Sequence, residues 1–181
     1  MHEISVKYDT QLHGHSYAGD IEFLYEHFPE ILSSRVFTAH VTGISEKEIE
    51  IIAKTGVHVC SGPSTNAYIL ARCPVVELID AGASVNFCTD ASAPDRNYDL
   101  LPKLRVGARL HRSHFNNGDL LTPGKLLEMI TVDAARALGM LDKIGSIEDG
   151  KFADIIAINL NKLHLYPLWL TSRMIKGISP L

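Results

Sequence analysis

Apolar residues along this chain recur in short alternating or continuous blocks, separated by stretches of helical periodicity. Ile4, Val6, Tyr8 and Leu12 fall mostly on one alternation and predict a strand over Ile4–Leu12. After Gly19-Asp20, the stripe Ile21, Phe23, Leu24 and Phe28 predicts a helix that Pro29 stops or kinks. Val36–Ala39 reads as a short buried strand ending at His40. Ser45 and Glu48 have the spacing of a capping box, which starts a helix through Ala53 that Gly56 closes. Val57–Cys60 predicts the next strand and Gly62–Asn66 a loop. Pro74 suits the first turn of a helix through Ile79, closed by Ala81-Gly82. Ser84–Cys88 predicts a fourth strand, leading into Thr89-Asp90. Further on, Leu100–His111 and Leu126–Leu138 predict helices, Gly145–Gly150 a loop and Asp154–Leu160 one more strand.

Strands that alternate with helices of this length make a parallel α/β fold. Four such strands suit half of a TIM barrel or a small open sheet. With 181 residues the chain is long enough to bury a core without staples. Its net charge of -4, with no basic run, excludes nucleic acid and anionic membrane as main partners. Cys60, Cys73 and Cys88 form no CxxC pair and read as small buried hydrophobes. Met1-His2-Glu3-Ile4 has no apolar signal core, so a cytoplasmic location is expected.

Chemistry concentrates where the predicted strands end. Leu12-His13, Ala39-His40 and Thr89-Asp90 each place a possible metal ligand there, and α/β proteins bind ligands at the C-terminal ends of parallel strands. Two imidazoles and a carboxylate are a suitable hydrolytic set for zinc or iron. His13 and His15 lie two apart and face the same side of a strand. The remaining histidines carry no such pattern, and GxGxxG, P-loop, GxSxG and HExxH motifs are absent.

At these residues the sequence resembles the amidohydrolase superfamily, in particular the branch of chlorotriazine hydrolases, guanine deaminase-like enzymes and adenosylhomocysteine/methylthioadenosine deaminases. Thr38-Ala39-His40-Val41 is similar to the AHC motif of barrel strand six. Ser61–Tyr68 resembles the NPxSN loop after strand seven, and Val85–Asp90 the GTD motif ending strand eight. Thr131–Gly139 and Ile144–Ile155 are similar to the family's ALG helix and its IGSLExGKxADL signature.

The resemblance implies the C-terminal half of a TIM (β/α)8 barrel, strands five to eight with their helices, over residues 1–143. Residues 144–181 would be a remnant of the small β-sandwich domain. It implies one divalent metal ion, zinc in preference to iron, held by His13, His40 and Asp90, with His15 as the alternative to His13. Asp90 and His40 would be catalytic: Asp90 takes a proton from the attacking water, and His40 orients water or substrate. Asn66 and Ser16 would contact a small-molecule substrate. Many deaminases of this branch have a glutamate three residues after the strand-five histidine, where Ser16 stands relative to His13; serine cannot shuttle protons near neutral pH. The family's N-terminal HxH metal pair has no counterpart here, since His13-Gly14-His15 fits strand five by its distance to His40. Strands one to four are therefore expected outside this sequence, and Met174–Leu181 is expected to stop before the closing sandwich strands. Open edges on a half barrel imply a homo-oligomer or association with a missing N-terminal half.

Overall fold

Four parallel strands organise the chain in the order β1-β2-β3-β4. The computed structural model describes residues 2–91 and 95–159. The strands are β1 (Leu12–Tyr17), β2 (Val36–Thr42), β3 (His58–Ser61) and β4 (Val85–Phe87). Right-handed β-α-β connections need helices between parallel strands. These are α1 (His2–Lys7) before β1, α2 (Asp20–His27), α3 (Glu46–Thr55), and α4 (Pro63–Tyr68) with α5 (Val75–Asp80). After β4 come α6 (Leu100–His114), α7 (Pro123–Ile130) and α8 (Val132–Ala137).

Register aligns the strands in layers. His15 pairs with Ala39, Ala39 with Cys60, and Cys60 with Asn86. On the opposite face, Val59, Val85 and Phe87 enter one core with Ile52, Leu78, Leu104 and Met129, drawn from α3, α5, α6 and α7. Packing there is close: a Cβ on Gly107 of α6 would lie 2.5 Å from the Phe87 ring. Only glycine admits that approach of helix to sheet.

The capping box at Ser45 is complete, with Glu48 N–H on Ser45 Oγ and Ser45 N–H on the Glu48 carboxylate. Glu48 also acts outside its own helix. Its Oε1 accepts from Gly19 N–H at 3.0 Å and Ile21 N–H at 3.2 Å, at the start of α2. Because Gly19 offers no capping side chain, the buried carboxylate of α3 satisfies the free amides of α2. Gly56 ends α3 in the left-handed region at φ 76°.

Several expectations need correction. Ile4–Leu12 is not a strand: α1 and a turn occupy it, with Tyr8 N–H bonded to Ile4 O. Its alternating residues Ile4, Val6 and Tyr8 stay exposed, since alternation alone supplies no partner strand for a ladder. The Gly62–Asn66 loop begins a helix instead, because Pro63 sets φ for the first turn and Asn66 N–H closes on Gly62 O. The helix expected over Leu126–Leu138 breaks at Thr131 (φ -125°, ψ -88°), whose hydroxyl bonds back to Leu127 O. Asp154–Asn159 carries no strand, and Leu160 with the rest of the 144–181 segment lies outside the described residues, as does Met174–Leu181. Among the described residues no helix is long and apolar enough to cross a membrane.

Candidate active site

The face of the sheet turned away from the core bears the chemistry. Period-two alternation puts His13, His15 and Tyr17 of β1 on that face, and all three are exposed. A cavity of about 480 Å³ opens there, walled by His13, His15, Phe37, Ala39, Cys60, Asn86, Cys88 and Asp90, with Ala134 and Ala137 of α8 on the far side. His13 is the second residue of β1 rather than its end, so His15 lies about 6.6 Å nearer the C-terminal rim at strand rise.

His40 reaches this face through a bulge. It pairs with Ser16, so plain alternation would place it on the helix side beside Thr38. However, the register slips between Ser16 and Tyr17, and both His40 (φ 68°) and Val41 (φ 47°) are left-handed. This local turn moves Val41 into the core at 0% exposure and brings the His40 ring to 4.8 Å from His15 and 5.8 Å from Tyr17. Bulges that re-aim a side chain recur at barrel rims and beside active sites. Asp90 follows β4 by three residues and is also left-handed, at φ 55°. Left-handed backbone at two non-glycine candidate residues is the kind of strain that clusters at functional sites.

The charge states suit acid–base work. Burial alone would raise the Asp90 carboxyl. The Thr65 hydroxyl, the Ala91 amide and the neighbouring His40 and His15 outweigh it and hold Asp90 below the usual carboxylate range. Thr65 faces the carboxylate without closing to a full hydrogen bond. Burial lowers His40 most, with His15 and His13 adding to it and Asp90 opposing, so the imidazole is neutral at pH 7. Its Nδ1 is buried without a partner among the described residues. Burial pushes the Cys60 thiol up to about 12, which leaves it protonated.

The expected site residues are not all brought together. His15, His40 and Asp90 cluster, whereas the His13 ring packs nearest Phe37 at 4.5 Å. Ser16 points to the helix side, its hydroxyl 2.7 Å from that of Thr38. Asn66 is buried in α4 and donates to Ala71 O at 2.9 Å, away from the cavity wall. Among the described residues no three His, Cys, Asp or Glu side chains close on one point as a metal set. The donor types fit a divalent ion, and the unpartnered His40 Nδ1 is the kind of atom such a site leaves free. Sequence reasoning missed Thr65, Asn86 and Tyr17. Two of them were legible: Tyr17 continues the His13/His15 alternation, and Asn86 shares a layer with Cys60.

A family model described as the amidohydrolase family matches residues 1–180. The chain belongs to the amidohydrolase family. It is 34% identical to an S-triazine hydrolase of Gordonia rubripertincta over 79% of this chain and 30% of that protein. It is 36% identical to a 5-methylthioadenosine/S-adenosylhomocysteine deaminase of Thermococcus onnurineus over 74% of this chain and 31% of that enzyme. Among solved structures, an atrazine chlorohydrolase from Arthrobacter aurescens complexed with zinc superposes with TM-score 0.82 at 28% identity, over 98% of this chain and 42% of the other. An adenosine deaminase from Xanthomonas campestris with bound zinc does so with the same score, over 43% of its length. The chain thus spans about a third of the length of these curated amidohydrolase relatives.

Proposed function

We propose that this chain carries part of a metal-dependent hydrolytic site acting on a C–N or similar bond of a small nitrogen-containing ring. The observation that carries the reading is the convergence of His15, His40 and Asp90 at one end of the parallel sheet, with His40 and Asp90 both in left-handed backbone. The names of the relatives support the substrate class. Residues 1–143 are read as strands five to eight of a barrel and 144–181 as the start of a small sandwich domain. The one-way order of four parallel strands supports the first of these.

In this reading His15, rather than His13, is the β1 ligand, because it lies nearer the rim and beside both His40 and Asp90. A bound zinc or iron would make a nucleophilic water available near neutral pH. Asp90, ionised there, accepts that water's proton and returns it to the leaving group. Neutral His40 orients water or substrate through a ring nitrogen. Counting three residues from His15 reaches Ala18, and from His13 reaches Ser16; neither can shuttle a proton, so the reading leaves ring deamination without its usual relay.

A second reading has its own support. No three donors converge among the described residues, so further ligands would come from a second copy or from an N-terminal half in another chain segment. Release of ammonia from aminopurine nucleosides, and of chloride from chlorotriazines, separates the two. Zinc-dependent release by this chain alone, abolished in Asp90→Ala, supports the self-sufficient site. Release only with the N-terminal half of a relative added supports the shared site. Release in neither case, or release unaffected by Asp90→Ala, sinks the hydrolytic reading.

A further inference from the structure

Lys103 is the buried charge that the site chemistry does not use. Its side chain is 1% exposed on α6, and its ammonium pairs with Asp95. Uncompensated, a lysine this deep is strongly unfavourable, so the partner has to be held in place. Asp95 is held. Asn97 Nδ2 donates to Asp95 O at 2.9 Å, and Asp99 N–H donates to Asn97 Oδ1 at 3.0 Å. Asp99 in turn caps α6 by accepting from Leu101 N–H. The chain from Asp95 to Lys103 is therefore a closed, stitched ring.

This ring adjoins the site through α4. Ser64 and Thr65, consecutive buried residues in the first turn of α4, address the two carboxylates separately, Ser64 toward Asp95 and Thr65 toward Asp90. The same turn leaves no slack: a Cβ on Gly62 would lie 2.9 Å from Asp90 Cβ, and Pro63 packs against Gly107 of α6. Asp90 and Asp95 are five residues apart, a reach of about 18 Å at most, so fixing Asp95 limits where Asp90 can go.

We propose that the buried Lys103–Asp95 pair is a positioning device that holds Asp90 in its left-handed conformation over the first turn of α4. It rests on the reading of Asp90 as a metal-site residue, and it makes Lys103 a positioning residue rather than a catalytic one.

The test uses the full chain and zinc alone as probe, by competition with a chromophoric chelator. Variants are Lys103→Met, Asp95→Asn, the double variant, and Asp99→Ala as a control that frays α6 without touching the pair. Lys103→Met and Asp95→Asn are each expected to weaken zinc binding about tenfold, as loss of an outer support does. The double variant should be no worse than either alone, and Asp99→Ala should stay within about twofold. Zinc affinity unchanged in Lys103→Met, while Asp90→Ala loses it, overturns the proposal. Should wild type bind no zinc, the metal reading fails, and amide exchange at Thr89–Ala91 then decides the pair. Faster exchange there in Lys103→Met but not in Asp99→Ala upholds the positioning role, and unchanged exchange overturns it.

Discussion

On the helix side of the sheet, Val41, Val59, Val85 and Phe87 are at most 2% exposed, while on the other side of the same strands His13, His15 and Tyr17 stand in solvent. The first face is a continuous apolar core. The second mixes imidazole, amide and thiol around an open cavity. One strand can serve both because successive side chains alternate, and a bulge at His40 exchanges two residues between the faces. The comparison teaches that stability and chemistry are separable here. Substitutions on the helix side should unfold the chain, and substitutions on the cavity side should leave it folded and change what it binds.

The largest effect should come from Phe87→Ala. Phe87 is wedged against Gly107 and Pro63, so its loss leaves a cavity costing about 3–5 kcal/mol, readable as a lower urea midpoint. An effect below about 1 kcal/mol would break the comparison.

Next is a pH effect on the helix side. Burial, with Arg72 adding to it, lowers His111 from 6.5 to about 4. The unfolded chain therefore binds a proton that the folded chain refuses between those values. Stability from this group is complete above about pH 6.5 and is lost as pH falls toward about 4, by up to about 3 kcal/mol. Chemical denaturation across that window should show the slope, and His111→Gln should flatten it.

Glu48→Ala should cost about 2 kcal/mol, because the amides at the start of α2 lose their acceptor together with the capping box of α3. Amide exchange at Gly19 and Ile21 should accelerate with it. Smallest in stability is His15→Ala, expected within about 0.5 kcal/mol of wild type by the same denaturation, since the side chain is exposed. A large destabilisation would mean that the cavity face is structural after all.

Much of this arrangement was legible in the sequence. Ser45 with Glu48 and the left-handed Gly56 are local devices, and local devices read directly from residue order. The four strands were legible from their apolar runs, and the resemblance supplied His40 and Asp90. Two things were hidden. Ile4–Leu12 alternates like a strand yet has no neighbour to pair with, which is a tertiary fact. His40 sits opposite Ser16 by register, and only the paired left-handed residues at positions 40 and 41 turn it toward His15. That reversal also explains why His13 looked like the strand-end ligand: sequence placed the end of β1 too early, and the true strand runs on to Tyr17.

The central claim is that His15, His40 and Asp90 are this chain's contribution to a divalent metal site. Zinc titration of wild type beside His15→Ala, His13→Ala and Asp90→Ala tests it most directly. The account predicts that wild type takes up zinc, that His15→Ala and Asp90→Ala each lose at least about tenfold in affinity, and that His13→Ala loses less than about twofold. Wild type without zinc affinity, or affinity lost in His13→Ala and kept in His15→Ala, would contradict it.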